Sequence, residues 1–156
     1  MREDVSGSGP PPTPGFEERV RESFARQRIM ATLGATLVRV APGQVEIAIP
    51  HREDFAQQHG FLHAGVIATV LDSACGYAAF TLMPSGAAVL SIEFKIHLLA
   101  PSAGERLVAR GRVVRAGRTI TVCAADAYSI RGTKEKHVAT MTGTMMTVMG
   151  NEMLSG

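Results

Sequence analysis

The sequence predicts an α+β domain in which an antiparallel sheet is wrapped around one central helix. Its elements follow one another as a helix, two strands, a second helix and four strands, and short connections link the last strands. The second helix is the most apolar element of the chain. One face of a twisted antiparallel sheet must be covered, and this helix is the element able to cover it.

The first part of the chain divides into a tail and a helix. Residues 1–15 combine Gly and Ser with a run of prolines, so we expect a disordered tail that contributes nothing to a core. Residues 16–33 carry apolar side chains at near-helical spacing among charges, which predicts one amphipathic helix that ends at Gly34. A single domain is therefore predicted over residues 16–150.

Strand patterns occupy most of the remaining chain. Residues 36–40 and 44–49 flank the turn sequence Ala41-Pro42-Gly43, and apolar side chains alternate along the second of these segments. The four later strands are predicted at 87–99, 105–115, 119–130 and 134–148. Because the last two connections have hairpin length, we expect these four strands to form an antiparallel meander.

The predicted central helix covers residues 63–83. Its length would suffice for a membrane span, but Asp72 lies at its middle and His63 near its start, and a central charge is costly in lipid. Its many Ala, Gly, Ser and Cys residues suit close packing inside a protein. We therefore expect a buried helix and no membrane contact.

Composition and charge exclude several function classes. The net charge is only +2, the basic residues are scattered, and Trp is absent, so a nucleic-acid partner is not expected. Cys75 and Cys123 lack a CxxC or His-rich context, which predicts two buried free thiols in a reducing cytoplasm and no metal site. The chain start lacks a signal-peptide pattern, which also favours a cytoplasmic location.

Asp72 is the first candidate for chemistry. Acidic side chains are seldom buried unless they are paired or functional. A carboxylate in such an apolar helix can act as a general base or a nucleophile. The structural alternative is an Asp that is bonded to a backbone group or to a partner's side chain.

The start of the same helix is the second candidate. If the helix begins at His63, the backbone N–H groups of Ala64 and Gly65 lie in its first turn, without intrahelical partners and at the positive end of the helix dipole. Such donors can hold a developing oxyanion. The alternative is that His63 is a helix-entry residue bonded to its own loop.

These two candidates are too far apart to act together within one chain. Nine residues separate His63 from Asp72, which corresponds to roughly 13 Å of helical rise and about half a turn of rotation. If both groups act on one carbonyl, two chains must place their helices antiparallel. The functional interpretation therefore predicts a homodimer with shared active sites.

Two segments carry a family pattern. The first reads Gln57-x-x-Gly60-x-x-His63-Ala64-Gly65, followed by Asp72 and small residues; the second, residues 90–101, has Ser91 near its start and ends at a proline. Together they resemble the PaaI-like branch of the hotdog-fold acyl-CoA thioesterases. In that pattern Asn-x-x-Gly-x-x-His-Gly-Gly precedes a carboxylate eight residues after the first paired glycine. Gln57 and Ala64 depart from it.

The resemblance implies roles for five residues in hydrolysis of an acyl-CoA to a free acid and CoA, without a metal or redox cofactor. Asp72 would be the nucleophile or general base, and the Ala64 N–H would stabilise the oxyanion. His63 and Gln57 would position the thioester or the attacking water. Ser91 would hydrogen-bond the water or the carboxylate.

The resemblance also implies a substrate-binding set, an assembly and two rival functions. Gly60, Phe61 and Gly65 would contact the acyl-CoA, and the chain would form a homodimer or a homotetramer. The first rival is an enoyl-thioester hydratase or dehydratase on the same hotdog fold. The second is a non-enzymatic acyl-CoA-binding dimer, in which Asp72 is a structural group.

Overall fold

The structure, a computed structural model, describes residues 10–150 of the 156-residue chain. The first nine residues of the predicted disordered tail lie outside this range. Near the end of that tail, the Thr13 hydroxyl donates a hydrogen bond to the Met83 carbonyl oxygen at 3.4 Å. The helices and strands are α1 (Phe16–Arg26), α2 (Arg28–Thr32), β1 (Thr36–Ala41), β2 (Gln44–Pro50), a short 3-10 helix (Glu53–Phe55), α3 (Ala64–Phe80), β3 (Ala87–Leu98), β4 (Arg106–Ala116), β5 (Ile120–Arg131) and β6 (Lys134–Met149).

The predicted helix over residues 16–33 is divided in two at Gln27. This residue has extended backbone angles, with φ −76° and ψ 101°, so the helical hydrogen bonding stops at Arg26 and restarts at Arg28. In α2, Ile29 is exposed and its neighbour Met30 is buried. The prediction of one continuous helix is therefore wrong, because the break turns α2 so that Met30 faces the core.

The six strands form one antiparallel sheet in the order β1-β2-β4-β5-β6-β3. The meander prediction is confirmed for β4, β5 and β6, whose hairpin connections force neighbours in sequence to pair. It is wrong for β3, which pairs with β6 from Ala87 opposite Met149 to Leu98 opposite Ala139. The connection after β3 is too long to impose a hairpin with β4, and β3 lies at the sheet edge beside β6.

Helix α3 lies against one face of the sheet and contacts β2 to β6. The sheet surface under it is built largely from small side chains, so the helix can approach closely: Ala109, Gly111, Ala125, Ala127 and Ala139 are all buried. A side chain at Gly111 would have its Cβ only 2.3 Å from the Ala74 carbonyl oxygen. The predicted hotdog architecture, a sheet wrapped around one central helix, is confirmed.

The end of α3 and its two flanking thiols complete the core. The helix ends at Phe80, where the buried Thr81 hydroxyl donates to the Ala78 carbonyl at 2.7 Å and accepts the Gly43 N–H at 2.7 Å. Cys75 and Cys123 are buried free thiols, as predicted. Within residues 10–150, no helix combines the length and apolar character needed to cross a membrane.

Candidate active site

A groove of about 860 Å³ runs beside α3, with α1 on one side and the first half of β3 on the other. Asp72 and Ser91 lie in it together with the aromatic side chains of Tyr77 and Phe80. The sequence-derived candidate Asp72 therefore opens onto a space large enough for part of a substrate.

The Asp72 carboxylate is half-buried and is held in place by the strand beside it. The Ser91 hydroxyl on β3 donates a hydrogen bond to Asp72 Oδ1 at 2.7 Å. Among the described residues, Oδ2 of Asp72 has no hydrogen-bond partner. One oxygen is thus oriented by Ser91, and the other is available to a water or a substrate.

The start of α3 leaves one backbone amide open. His63 is the N-cap residue, and its Nδ1 atom accepts the Gly65 N–H at 2.9 Å. The N–H groups of Val66 and Ile67 both bond the His63 carbonyl oxygen. The exposed Ala64 N–H has no partner among residues 10–150, so it is the donor that remains for a ligand at this helix terminus.

The loop before α3 is folded tightly against that terminus. The Gln57 N–H donates to the Phe61 carbonyl at 2.8 Å, and Gly60 donates back to Gln57 at 2.9 Å. Gly60 has φ +83°, a left-handed conformation that favours glycine. The Gln57 side-chain oxygen accepts the His59 N–H, and the His63 N–H bonds the Phe55 carbonyl at 2.9 Å. The residues from Gln57 to Gly65 therefore form one unit.

The predicted site residues fall into two groups within a chain. Asp72 and Ser91 touch each other, whereas Gln57, Gly60, Phe61, His63, Ala64 and Gly65 gather at the helix start. Eight residues of helix separate Ala64 from Asp72, which is roughly 12 Å of rise. One chain does not bring the two groups to a common point.

Sequence patterns did not indicate that residues from the start of the chain line the groove. They are Arg19, Ser23 and Arg26 on α1 and Gln27 at the break that follows it, and the Ser73 hydroxyl donates to Gln27 Oε1 at 3.2 Å. The spacing of four residues from Arg19 to Ser23 and on to Gln27 was the available signal, because polar residues four apart lie on the same face of a predicted helix. A search for apolar periodicity alone does not detect a polar stripe.

The groove wall includes one tyrosine hydroxyl, that of Tyr77. Among residues 10–150, no group of three or more His, Cys, Asp or Glu side chains is arranged to hold a metal ion. Burial raises the pKa of the Tyr77 hydroxyl, and the Ser23 hydrogen bond only partly offsets it. Tyr77 therefore enters the groove wall as a neutral hydroxyl at physiological pH.

Comparison with known proteins identifies close relatives in sequence and structure. The family model described as the thioesterase superfamily matches residues 59–136. The crystal structure of a thioesterase family protein from Silicibacter pomeroyi is 54% identical and superposes with a TM-score of 0.86, covering 87% of this chain and 100% of its own. Human acyl-coenzyme A thioesterase 13 is 30% identical over 116 residues, which are 73% of this chain and 82% of the human protein.

A more distant structure supports the fold alone. The Escherichia coli PaaI protein, from the phenylacetic acid degradation operon, is 20% identical with a TM-score of 0.78, covering 87% of this chain and 95% of its own. The groove residues Arg19, Ser23, Arg26 and Gln27 lie before the segment that the family model matches.

Proposed function

The chain belongs to the thioesterase superfamily, and from that premise we propose that it hydrolyses an acyl-CoA thioester to a free carboxylic acid and CoA. The observation that carries the proposal is the Asp72 carboxylate in the groove, with Oδ1 held by Ser91 and Oδ2 without a hydrogen-bond partner in the described part of the chain. A carboxylate oriented in this way can attack a thioester carbonyl or deprotonate a water that attacks it.

The reaction can follow either of two balanced routes. If Asp72 is the nucleophile, its attack expels the CoA thiolate and forms a mixed anhydride, which water then hydrolyses to the acid and free carboxylate. If Asp72 is the general base, it takes a proton from the attacking water, and that proton reaches the departing thiolate. In both routes negative charge develops on the carbonyl oxygen and needs a hydrogen-bond donor.

The Ala64 N–H is the proposed oxyanion donor, because it lies at the positive end of α3 and has no hydrogen-bond partner among residues 10–150. His63 orients that terminus through its bond to Gly65. Gln57 is proposed to position the thioester or the water. Its side-chain oxygen accepts the His59 N–H, and this bond holds the side chain in one orientation beside the helix start. Gly60, Phe61 and Gly65 would let the acyl-CoA approach this terminus.

A second chain is needed to complete the proposed site. The separation between Ala64 and Asp72 is roughly 12 Å along one helix, so the oxyanion donor must come from the partner subunit. Strand β3 is the proposed contact. It lies at the sheet edge and exposes Leu90, Ile92 and Phe94 to 44%, 52% and 44%. A long apolar edge strand favours pairing with another strand, here with β3 of the partner.

The test is a thiol-release assay over short, long and aromatic acyl-CoA substrates, with Asp72→Asn as the variant. We expect wild-type turnover and a loss of about a hundredfold or more in kcat for the variant, since the carboxamide neither attacks nor accepts a proton. Glu18→Gln, at an exposed carboxylate on α1, is the matched control and is expected to keep full activity.

Two results would contradict the proposal. Absence of thiol release for every acyl-CoA would exclude hydrolysis, and hydration of an enoyl-CoA under the same conditions would then favour the hydratase alternative. Full turnover by Asp72→Asn would remove Asp72 from the chemistry. Binding of acyl-CoA without any conversion would favour the non-enzymatic alternative.

A further inference from the structure

The two walls of the groove differ in polarity. The β3 wall presents Ala87, Ala88, Val89 and Leu90, all of them aliphatic. The opposite wall is polar and charged, and it presents Arg19, Ser23 and Arg26 from α1 and Gln27 at the break that follows it. A ligand in this groove is therefore placed between an apolar surface and a polar one.

The polar wall is held by two side-chain pairs, one helical turn apart. The Gln27 carboxamide accepts a hydrogen bond from the Ser73 hydroxyl at 3.2 Å, and the Ser23 hydroxyl lies 3.4 Å from the Tyr77 hydroxyl. Ser73 and Tyr77 lie four residues apart on one face of α3, and Ser23 on α1 lies four residues before Gln27 at the break. Both pairs line the groove.

These pairs do not use all the hydrogen-bond donors of the polar wall. Because Gln27 Oε1 is used as an acceptor, its amide nitrogen keeps both hydrogens, and neither has a partner among residues 10–150. In the Ser23–Tyr77 pair only one of the two hydroxyl hydrogens lies between the oxygens. The wall thus has spare donors and calls for an acceptor on the ligand.

A saturated acyl chain would make favourable contacts with the apolar wall only. It would pack against the β3 residues but remove water from the amide of Gln27 and the hydroxyls without replacing its hydrogen bonds, which is unfavourable. An acyl group that carries a hydroxyl oxygen would pack equally well and also accept a hydrogen bond. Sites built to bond a substrate hydroxyl reject the analogue that lacks it.

We propose that Gln27 and Ser23 are specificity-determining residues that select hydroxyacyl groups over saturated acyl groups of the same length. The inference rests on the proposed thioesterase function, since it assumes that the acyl group lies in the groove beside Asp72. Ser73 follows Asp72 directly, so Gln27 would donate a hydrogen bond to an acyl-group hydroxyl close to the thioester. The Ser23–Tyr77 pair lies four residues farther along α3, roughly 6 Å away. It would donate a hydrogen bond to a hydroxyl at the far end of the acyl chain.

The test compares kcat/KM for three six-carbon substrates: hexanoyl-CoA, 3-hydroxyhexanoyl-CoA and 6-hydroxyhexanoyl-CoA. We expect the wild-type protein to prefer each hydroxylated substrate about tenfold over hexanoyl-CoA. Gln27→Met keeps the side-chain length but removes the amide, and it is expected to abolish the preference for the 3-hydroxy substrate. Ser23→Ala is expected to reduce the preference for the 6-hydroxy substrate only. Glu22→Gln, on the exposed face of α1, is the control and should keep both ratios.

Ratios between substrates separate selection from damage to the fold, because a structural defect lowers all three values together. A wild-type preference for hexanoyl-CoA, or unchanged ratios in both variants, would overturn the proposal. If no substrate releases thiol, the thioesterase assignment fails separately. Calorimetric titration with the same three acyl-CoA compounds then tests the selectivity. If the wild type and Gln27→Met bind each compound with equal affinity, the proposal is overturned.

Discussion

At the scale of single residues, the hydrogen bond from the Gly65 N–H to His63 Nδ1 decides which amide of the helix start is left open. By taking the second N–H of α3, the ring leaves that of Ala64 for a ligand. The same bond requires an unprotonated Nδ1, so a neutral His63 carries its hydrogen on Nε2. The His63 side chain therefore caps the helix and also determines which backbone N–H remains available as a candidate catalytic donor.

The cap leads to a prediction for Gly65→Ala. The added Cβ would lie 3.1 Å from His63 Nδ1 and 3.4 Å from Cε1, so the ring must shift and the bond to the Gly65 N–H must weaken. We expect kcat/KM for acyl-CoA hydrolysis to fall about tenfold, with a stability change of about 1 kcal/mol or less because the loss of the cap is modest. Wild-type activity in this variant would show that His63 does not orient the helix start.

The two thiols lead to a second prediction at this scale. Burial raises the pKa of Cys75 above its ordinary value and raises the pKa of Cys123 to about 12. Both thiols are therefore protonated and covered at pH 8, and we expect neither to react with a disulfide reagent in the native protein. Both should react once denaturant is added. Rapid labelling of the native protein would contradict the buried placement.

At the scale of elements, the contact between α3 and β4 depends on the absence of a side chain at Gly111. The strand backbone meets the Ala74 carbonyl of the helix there, and the neighbouring small residues keep the helix close along its length. This close approach determines how deeply α3 lies in the sheet. It therefore also sets the distance between Asp72 on α3 and Ser91 on β3.

Gly111→Ala is expected to destabilise the protein by about 1–3 kcal/mol, because a Cβ 2.3 Å from a backbone oxygen forces the helix and strand apart. Gly76→Ala is the matched control. Its Cβ would meet nothing within 4 Å, and alanine in a helix is favoured over glycine by roughly 0.5–1 kcal/mol. Denaturant unfolding of the two variants checks the prediction, and equal effects would contradict the close contact.

The outer face of the sheet supplies a prediction on pH. Burial acts to raise the pKa of Asp126, but hydrogen bonds from Thr140 and Arg112, with the charges of Arg112 and His137, outweigh it and lower the pKa below its ordinary value. Arg112 lies 2.9 Å and His137 3.1 Å from the carboxylate. A lowered pKa in the folded state means that the stabilisation is present above the unfolded pKa, near 3.9, and is lost as the pH falls through the folded pKa.

Asp126→Asn is therefore expected to lower the free energy of unfolding by about 1 kcal/mol at pH 7. The difference from the wild type should shrink as the pH is lowered below about 4. Urea unfolding at a series of pH values measures both. A difference that is independent of pH would show that the carboxylate charge does not contribute.

At the scale of the whole molecule, the two edges of the sheet are unequal. Strand β3 has 12 residues and exposes apolar side chains along its length, whereas β1 has six. The proposed active site needs the helix start of a second chain. Pairing of β3 with its copy would cover these apolar residues and continue the sheet across a two-fold axis.

The assembly is tested by Ile92→Lys on β3, with Val38→Lys on β1 as the matched control. Both residues are exposed apolar side chains on edge strands, at 52% and 54%. Light scattering is expected to show a wild-type dimer or tetramer, a monomeric and inactive Ile92→Lys, and an unaffected Val38→Lys. An active monomer would refute the shared site.

Local sequence patterns were sufficient to predict the order of the strands, the central apolar helix and the spacing of His63, Ala64 and Asp72. These depend on local periodicity and turn residues, which act over a few neighbours along the chain. The same spacing implied that one chain cannot join Ala64 to Asp72, because helical rise is a fixed property of the backbone. The contact between Ser91 and Asp72 was expected only from the family resemblance.

Two features of the fold depend on long-range packing. It placed β3 beside β6, since a long connection does not specify which strand its ends will pair with. It also broke the first helix at Gln27 and turned Ser23 and Gln27 toward α3. Both outcomes depend on contacts between residues distant in sequence, where packing against the completed core overrides local pattern.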